Sequence, residues 1–536
     1  MQSKETLTLN EAAQFFSVSV ATIRNWIKTD YLISQGKGLV LKKSALAFQQ
    51  KILGREKLNQ RANKQKKDSH DHQELTAFLL KQLSSKKIDA DTAGEIYEKS
   101  LSNAYRNREG VYYTPSSLLP ELFKQIKPIE KSTFCDPCCG SGNFIIQALE
   151  QGFLLENIYA FDIDPVAIAI TQARIEKRFG IRSNHIKCTD FLMWSIQNSQ
   201  LFDYIYTNPP WGKKLSKQEK QNWAQQLNIS NEFAHDTCSL FFQCCLKKLT
   251  TKGYLGLLLP DSVFNIASFE AMRKEILRYE ILRLADFGKI FKGLQTNAGW
   301  VEISRSTHIN EKIPCFFQGK EIIRHKSSFQ HNPKFIFNLN CSSSEAEVIE
   351  HIFSIPHKTL ENYASWGLGI VTGNNEKWLK KVAEKNSIPV LKGSDIKGTH
   401  KISQPSCFIS HDLSKYQQVA PIELYQSPEK LIYKFISSNL CFYLDRKQNF
   451  MLNSANMVIV HESFPIDMQI LGDLFNSDFM NWVFRKIFAT HKVLRKDLET
   501  LPIHTQFLQN DYFDEANYIQ SLNLEKLNNG TFRIKK

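Results

Sequence analysis

Two glycines in the stretch Asp136-Pro137-Cys138-Cys139-Gly140-Ser141-Gly142-Asn143-Phe144 constrain the fold of this chain more than any other feature. Ser132-Thr133-Phe134-Cys135 before them is short and β-prone, and Phe144-Ile145-Ile146-Gln147-Ala148-Leu149 after them reads as helix. A strand must therefore become a helix across Gly140 and Gly142, where a missing Cβ lets the backbone approach a ligand closely. About twenty residues on, the apolar run Ile158-Tyr159-Ala160-Phe161 ends at Asp162-Ile163-Asp164-Pro165. A third run, His185-Ile186-Lys187-Cys188, ends at Asp190-Phe191, and a fourth, Asp203-Tyr204-Ile205-Tyr206-Thr207, ends at Asn208. This alternation predicts a doubly wound, Rossmann-like α/β domain whose ligand lies across the carboxyl ends of the strands.

The same residues indicate the kind of ligand. A carboxylate such as Asp162 at a strand end can accept hydrogen bonds from ribose hydroxyls. A dinucleotide site shares this pattern, but Ile145 stands where the third glycine of G-x-G-x-x-G belongs, which favours an adenosyl cofactor instead. Downstream, Asn208-Pro209-Pro210-Trp211 can grip a planar amine. The amide oxygen of Asn208 and the carbonyl of Pro209 can each accept one amine hydrogen, which holds the nitrogen and raises its electron density. Pro209 and Pro210 stiffen that carbonyl. Trp211 offers a face on which a base can stack. Alone, an Asn-Pro-Pro turn or a glycine turn is ordinary structure; in register with Asp162 and Asp190 they point to methyl transfer onto a nitrogen.

Residues from about 105 to 305 resemble the adenine-specific (N-6) DNA methyltransferases of the gamma arrangement, with cofactor motif, catalytic motif and recognition region in that order. The resemblance implies S-adenosylmethionine as cofactor. Tyr112-Tyr113-Thr114-Pro115 is similar to the family segment whose threonine-proline contacts the methionine part of that cofactor, which implicates Tyr113 and Thr114. Asp136, Gly140 and Gly142 match the glycine-loop motif, Asp162 with Ile163 the ribose acid, and Asp190 with Phe191 the pair beside the cofactor adenine. Asn208 through Trp211 match the catalytic tetrapeptide, and Gly288-Lys289-Ile290-Phe291 implies Phe291 as a second aromatic on the opposite face of a flipped base. Phe264 and Phe269 compete for that role. Duplex adenine reaches such a site only by leaving its stack.

From about residue 315 onward, stretches such as Cys315-Phe316-Phe317 and Lys334-Phe335-Ile336-Phe337 read as strands of a separate, mixed and β-containing domain. Gly367 to Asn375, Val390 to Ile396, Glu429 to Phe435 and Leu498 to Ile503 resemble the TaqI-like C-terminal specificity domain, which reads the DNA around the target adenine. A β-rich scaffold that only buttresses the catalytic domain is the alternative. At the other end, Leu7 to Phe16, with Asn10 as cap, and Val20 to Lys28 read as two helices around a Ser17-Val18-Ser19 turn. With a Leu39-Val40 strand and a Lys43 to Phe48 helix, they resemble the helix-turn-helix of excisionase and MerR-type proteins, presenting Thr22, Arg24 and Asn25 to a major groove. A small helical fold for protein contact is the competing reading. Lys51 to Lys67 carries seven basic residues against Glu56 and reads as an exposed helix or tether. The expected division is 1–53 helix-turn-helix, 54–74 linker, 75–310 methyltransferase domain with one helical segment from Leu75 to Ala104, and 311–536 recognition domain.

Lys and Arg outnumber Asp and Glu by 68 to 54, a net charge of +14 that favours a polyanionic partner, here double-stranded DNA. No apolar run approaches a spanning helix and the first residues lack a signal core, so a cytoplasmic location is expected. Eleven scattered cysteines, with only Cys135 and Cys138 at C-x-x-C spacing, read as reduced thiols and predict no metal. The region before Tyr112 leaves no room for a nuclease, so any cleavage belongs to a separately encoded restriction nuclease. The rival functions are an RNA adenine methyltransferase and a DNA-binding regulator keeping an inactive methyltransferase fold.

Overall fold

The computed structural model describes residues 6–51 apart from 17–19, 21, 22, 24, 25, 28–31 and 35–37. It also describes 78–100 apart from 84 and 86, and 110–535 apart from 111, 129, 130, 213, 214, 235, 292, 293, 295, 307–309, 510 and 511. The chain divides into two compact units, Met1–Pro260 with Lys289–Ser306, and Asp261–Gly288 with Thr307–Lys536.

At the N-terminus, β1 (Thr6–Thr8) pairs antiparallel with β2 (Leu39–Leu41), flanked by α1 (Leu9–Phe15) and α2 (Lys42–Lys51). Thr8, not Asn10, caps α1: its side chain accepts from the Glu11 amide and the Glu11 carboxylate answers on the Thr8 amide, a reciprocal box that Asn10, already inside the helix, cannot make. Thr22, Arg24 and Asn25 lie outside the described residues. Leu75 to Ala104 is not one helix. Residues 78–83 are helical, and a second helix, α3 (Ala90–Ser100), starts where the Asp89 carboxylate accepts the amides of Asp91 and Thr92.

The main sheet of the first unit is built from β3 (Phe134–Asp136), β4 (Ile158–Asp162), β5 (Ile186–Cys188), β6 (Phe202–Thr207), β7 (Leu249–Pro260) and β8 (Ala298–Ser304). In space the order is β8-β7-β6-β3-β4-β5, all parallel except β8, which runs antiparallel to β7. The crossovers include α4 (Asn143–Glu150), α5 (Pro165–Phe179), α6 (Phe191–Gln197), α7 (Lys217–Leu227) and α8 (Thr237–Lys248). Buried on both faces, β3 and β6 need continuous apolar runs, and Phe134, Cys135, Ile205 and Tyr206 are all fully buried. Each βα corner is fixed by its own residues. Gly142 starts α4 at φ 88°, Asp164 caps α5 through the Val166 amide ahead of Pro165, and Asp190 caps α6 through the Leu192 amide. The chain leaves β3 for β4 and β5 on one side and returns to β6 on the other, so the crevice beside β3 opens at the carboxyl ends of β3, β4 and β6.

In the second unit, Lys312–Phe317 and Lys320–His325 form a hairpin, with Glu280–Asp286 parallel to the first of them. A four-stranded sheet orders Ala364–Leu368, Ala455–Val460, Lys430–Lys434 and Phe442–Asp445. The helices Met468–Asn476 and Asp478–Phe488 share an apolar core with this sheet. The Cys315 stretch is a strand as expected, but Lys334-Phe335-Ile336-Phe337 is not. Lys334 and Phe335 sit at φ 53° and 57°, in a turn held by the buried Arg273 guanidinium, which donates to the carbonyls of Val263, Ile266 and Lys334. Among the described residues, no helix is long and apolar enough to cross a membrane.

Candidate active site

The strand ends of the first unit close around a cavity of about 290 Å³. At the end of β4, Asp162 Oδ2 accepts the Gly140 amide at 2.9 Å and Oδ1 accepts the Asp164 amide at 2.9 Å, which ties the acid to the glycine turn. Burial lifts the Asp162 carboxyl to about 6, against the backbone amides that pull it down. Ile163 beside it stays 73% exposed although it lines the cavity, an apolar surface with no protein neighbour to cover it. Asp190 and Phe191 line the cavity from the start of α6, and the Phe191 ring lies nearly parallel to Phe241 at 6.2 Å.

Gly140 at φ 51° passes directly under Tyr113, so a Cβ there would lie 2.5 Å from the tyrosine ring. Tyr113 and Thr114 line the cavity, and the buried Thr114 Oγ1 has no hydrogen-bond partner. Asp136, by contrast, is fully buried behind the turn: Oδ1 accepts the Thr207 hydroxyl at 2.6 Å and the Cys138 amide at 3.1 Å, while Oδ2 has no partner. Burial raises this carboxyl to about 7. Asp136 thus locks the ends of β3 and β6 together.

At the end of β6, Asn208 Nδ2 donates to the Tyr112 carbonyl. A carbonyl can only accept, so the amide is held with Oδ1 outward, and Oδ1 is buried without a partner in a residue that lines the cavity. The Pro210 carbonyl is taken by the Thr237 hydroxyl at 3.0 Å and the Cys238 thiol at 3.1 Å. Trp211 is 5% exposed: its indole N–H donates to the Leu258 carbonyl at 3.1 Å. The Phe291 ring meets Trp211 edge-on at 5.1 Å, and the Tyr112 ring lies beside both, at 5.8 Å from Trp211 and 5.5 Å from Phe291. Phe264 is a core residue of the second unit, packed on Phe337, and Phe269 is buried too.

Of the residues expected from sequence, Tyr113, Thr114, Gly140, Asp162, Ile163, Asp190, Phe191, Asn208 and Pro210 line one cavity. Asp136, Gly142, Pro209, Trp211 and Phe291 lie outside its lining. Three contributors escaped the sequence reading. Tyr112 orients Asn208 through a backbone atom, which no side-chain pattern encodes. Gly110 lies so close to Trp211 that a Cβ would sit 2.2 Å from its carbonyl oxygen. The segment Leu215, Glu219 and Trp223 also lines the cavity, and its repeat of four was the available signal.

Gly142→Ala tests the turn. At φ 88° an alanine is strained, and its Cβ would lie 2.8 Å from Thr171 Oγ1, which donates to the Gly140 carbonyl. The variant is expected to lose about 1–3 kcal/mol of stability in denaturant unfolding. Wild-type stability would mean that the turn relaxes freely.

Comparison with known proteins bears on this geometry. Residues 88–285 match the N-6 DNA methylase family and residues 388–503 the TaqI-like C-terminal specificity domain. The chain is 46% identical over 395 residues to the type II methyltransferase M.VspI of Vibrio sp. (strain 343), covering 96% of that protein and 73% of this chain. It is 25% identical over 199 residues to the modification methylase CviBIII of Paramecium bursaria Chlorella virus NC1A, covering 49% of it and 36% of this chain. Among solved structures, the type IIL restriction-modification enzyme MmeI in complex with DNA has a similar fold, with a TM-score of 0.51 at 11% identity over 76% of this chain and 70% of that one.

Proposed function

This chain belongs to the N-6 adenine DNA methyltransferases of restriction-modification systems, and on that premise we propose that it methylates the exocyclic amine of an adenine turned out of the duplex at a defined sequence, with S-adenosylmethionine as donor. The observation that carries the reading is the buried, unpartnered Asn208 Oδ1, held outward by the Tyr112 carbonyl. An acceptor without a partner at the edge of a cavity is costly unless a ligand donor meets it. The amine of adenine is such a donor.

The lining residues fit an adenosyl cofactor. Asp162 would take the ribose hydroxyls, Ile163, Asp190 and Phe191 the adenine, and Tyr113 and Thr114 the methionine portion, with Thr114 Oγ1 gaining the partner it lacks. Gly140 and Gly142 keep the turn low, and Asp136 holds that turn to β6. S-adenosylmethionine supplies an electrophilic methyl carbon when bound. Asn208 Oδ1 and the Pro209 carbonyl accept the two amine hydrogens, which aims the nitrogen lone pair at that carbon for direct, in-line attack. Pro210 fixes the approach. Trp211 and Phe291 clamp the flipped base, so its entry requires their edge-on contact to open.

Cofactor motif, catalytic motif and specificity domain follow one another along the chain, which supports the gamma arrangement. In this reading 1–53 is a DNA-reading helix-turn-helix, 54–74 its basic tether, 75–310 the catalyst and 311–536 the sequence reader, paired with a separately encoded nuclease. The deciding experiment is transfer of labelled methyl from S-adenosylmethionine into unmodified genomic DNA, followed by single-molecule sequencing. N-6 methyladenine at one repeated sequence is the expected product; label entering only RNA, or no acceptor despite cofactor binding, would overturn the reading.

The reading carries a pH dependence. Ribose hydroxyls donate to the charged form of Asp162, whose pKa burial has raised to about 6. Affinity for S-adenosylhomocysteine, measured by calorimetry, is therefore expected to climb as pH rises through 6 and to level off above it. The sign reverses for the free protein. Asp136, raised from 3.8 to about 7, contributes stability that is fully present below its unfolded pKa and lost as pH rises through 7. An affinity that does not change between pH 5 and 7 would exclude Asp162 as the ribose ligand.

A further inference from the structure

Beyond the residues above, we propose that α7 forms the outer wall of the cofactor cavity and that its Trp223 covers the cofactor's adenine, acting as a further binding residue for the reaction. The inference rests on the cofactor reading and extends it to an element that no family motif marks.

Leu215, Glu219 and Trp223 all line the cavity: Glu219 and Trp223, four residues apart, share one face of α7, and Leu215 lies in the segment leading into it. The remainder of α7 is polar. Lys217, Gln218, Gln221, Asn222, Gln225 and Gln226 are exposed, and only Ala224 and Leu227 are buried. A reciprocal box between Ser216 and Glu219 fixes where the helix starts, and hence which face meets the cavity. Trp223 is half-buried on this polar helix, beside the buried Ala224 and Leu227. Among the described residues its indole makes no ring stacking and no hydrogen bond, and the cavity is what it covers.

Leu215 lines the cavity ahead of the helix, and Glu219 and Trp223 line it from the helix itself. Trp223 lies one turn beyond Glu219, about 6 Å further along the axis. It shares the lining of the cavity with Ile163, Asp190 and Phe191, the residues that the cofactor reading gives to the adenine. Ile163 is the exposed apolar floor there. A flat ring opposite that floor would leave a slot for a purine, and aromatic faces accept any base.

The test is S-adenosylhomocysteine binding to the full-length protein by calorimetry, for wild type, Trp223→Ala and Trp223→Phe, with thermal melting of each as the control for folding. The alanine variant is expected to bind about tenfold more weakly or worse, and the phenylalanine variant to regain most of the loss. Adenosine alone, used as a competitor, should lose affinity in parallel, whereas methionine should not. Ligand quenching of tryptophan fluorescence should shrink in Trp223→Phe. Equal binding by a folded alanine variant, or a phenylalanine variant as weak as alanine, would overturn the role of Trp223 while the cofactor reading stands. Failure of the wild type itself to bind S-adenosylhomocysteine would overturn that reading instead.

Discussion

Asn208→Ala is expected to slow methyl transfer by about 10²–10³-fold or more, the loss found when a preorganised hydrogen-bonding group is removed from a reacting centre. S-adenosylhomocysteine affinity should stay near wild type, because in the proposed reading Asn208 Oδ1 serves the amine and the cofactor rests on Asp162, Asp190 and the glycine turn. Asn208→Asp separates the two halves of the amide. It keeps an acceptor for the amine but removes the donor to the Tyr112 carbonyl and sets a carboxylate against that oxygen. If the orientation set by Tyr112 matters, aspartate should be about as poor as alanine. A rapid aspartate variant would mean that any oxygen at this position suffices. Single-turnover rates, with cofactor binding measured in parallel, distinguish these cases.

Lys430→Met is expected to cost the second unit about 3–5 kcal/mol, the typical result of breaking a buried ion pair from one side. Lys430 and Asp445 are both fully buried, 2.7 Å apart on neighbouring strands, and Lys430 Nζ also donates to the Tyr425 carbonyl at 2.7 Å. Desolvation lowers the pKa of the lysine against the pull of Asp445. Without the ammonium, Asp445 keeps the amides of Lys447 and Asn449 and the Asn449 side chain, but its charge is uncompensated in the sheet. Denaturant unfolding should show the shift. Lys430→Met with Asp445→Leu should recover much of the loss, since an apolar pair of similar volume tolerates the site. If the double variant is as unstable as the single one, packing rather than charge accounts for the loss.

The sequence revealed the sheet and most of the cavity because the residues responsible do local work. A glycine at positive φ, an acid capping the next helix and a strand long enough to be buried on both faces all leave a pattern within a few positions. Asp162, Asp190 and Asn208 fall at strand ends for that reason, and the structure brings them to one cavity. What escaped depends on distant parts of the chain. Asp136 matches a cofactor motif, yet it is buried against Thr207, 71 residues away. Trp211 offers a stacking face on paper, but its N–H is committed to Leu258, and only folding sets Phe291 edge-on against it. Lys334 to Phe337 has strand composition, and the carbonyl grip of Arg273, some sixty residues earlier, bends it into a turn. Thr8 took the cap from Asn10 because Glu11 lies three residues beyond it, a spacing that could have been read from the sequence.

The chain passes between the two units three times, at Pro260–Asp261, Gly288–Lys289 and Ser306–Thr307. The second and third passages bracket the segment that carries Phe291 and β8, which pairs with β7 along seven residues from Tyr254 to Pro260. A gene cut at any single point would therefore leave one unit short of a segment of its own. A single crossover beyond Ser306 keeps the first unit whole and joins the native residues 261–288 to a new remainder of the second unit, whereas an earlier one divides the first unit. Evolution of target choice in this chain should thus proceed by substitution within the specificity domain, or by crossovers beyond Ser306, rather than by wholesale replacement of everything after the Asn208 motif.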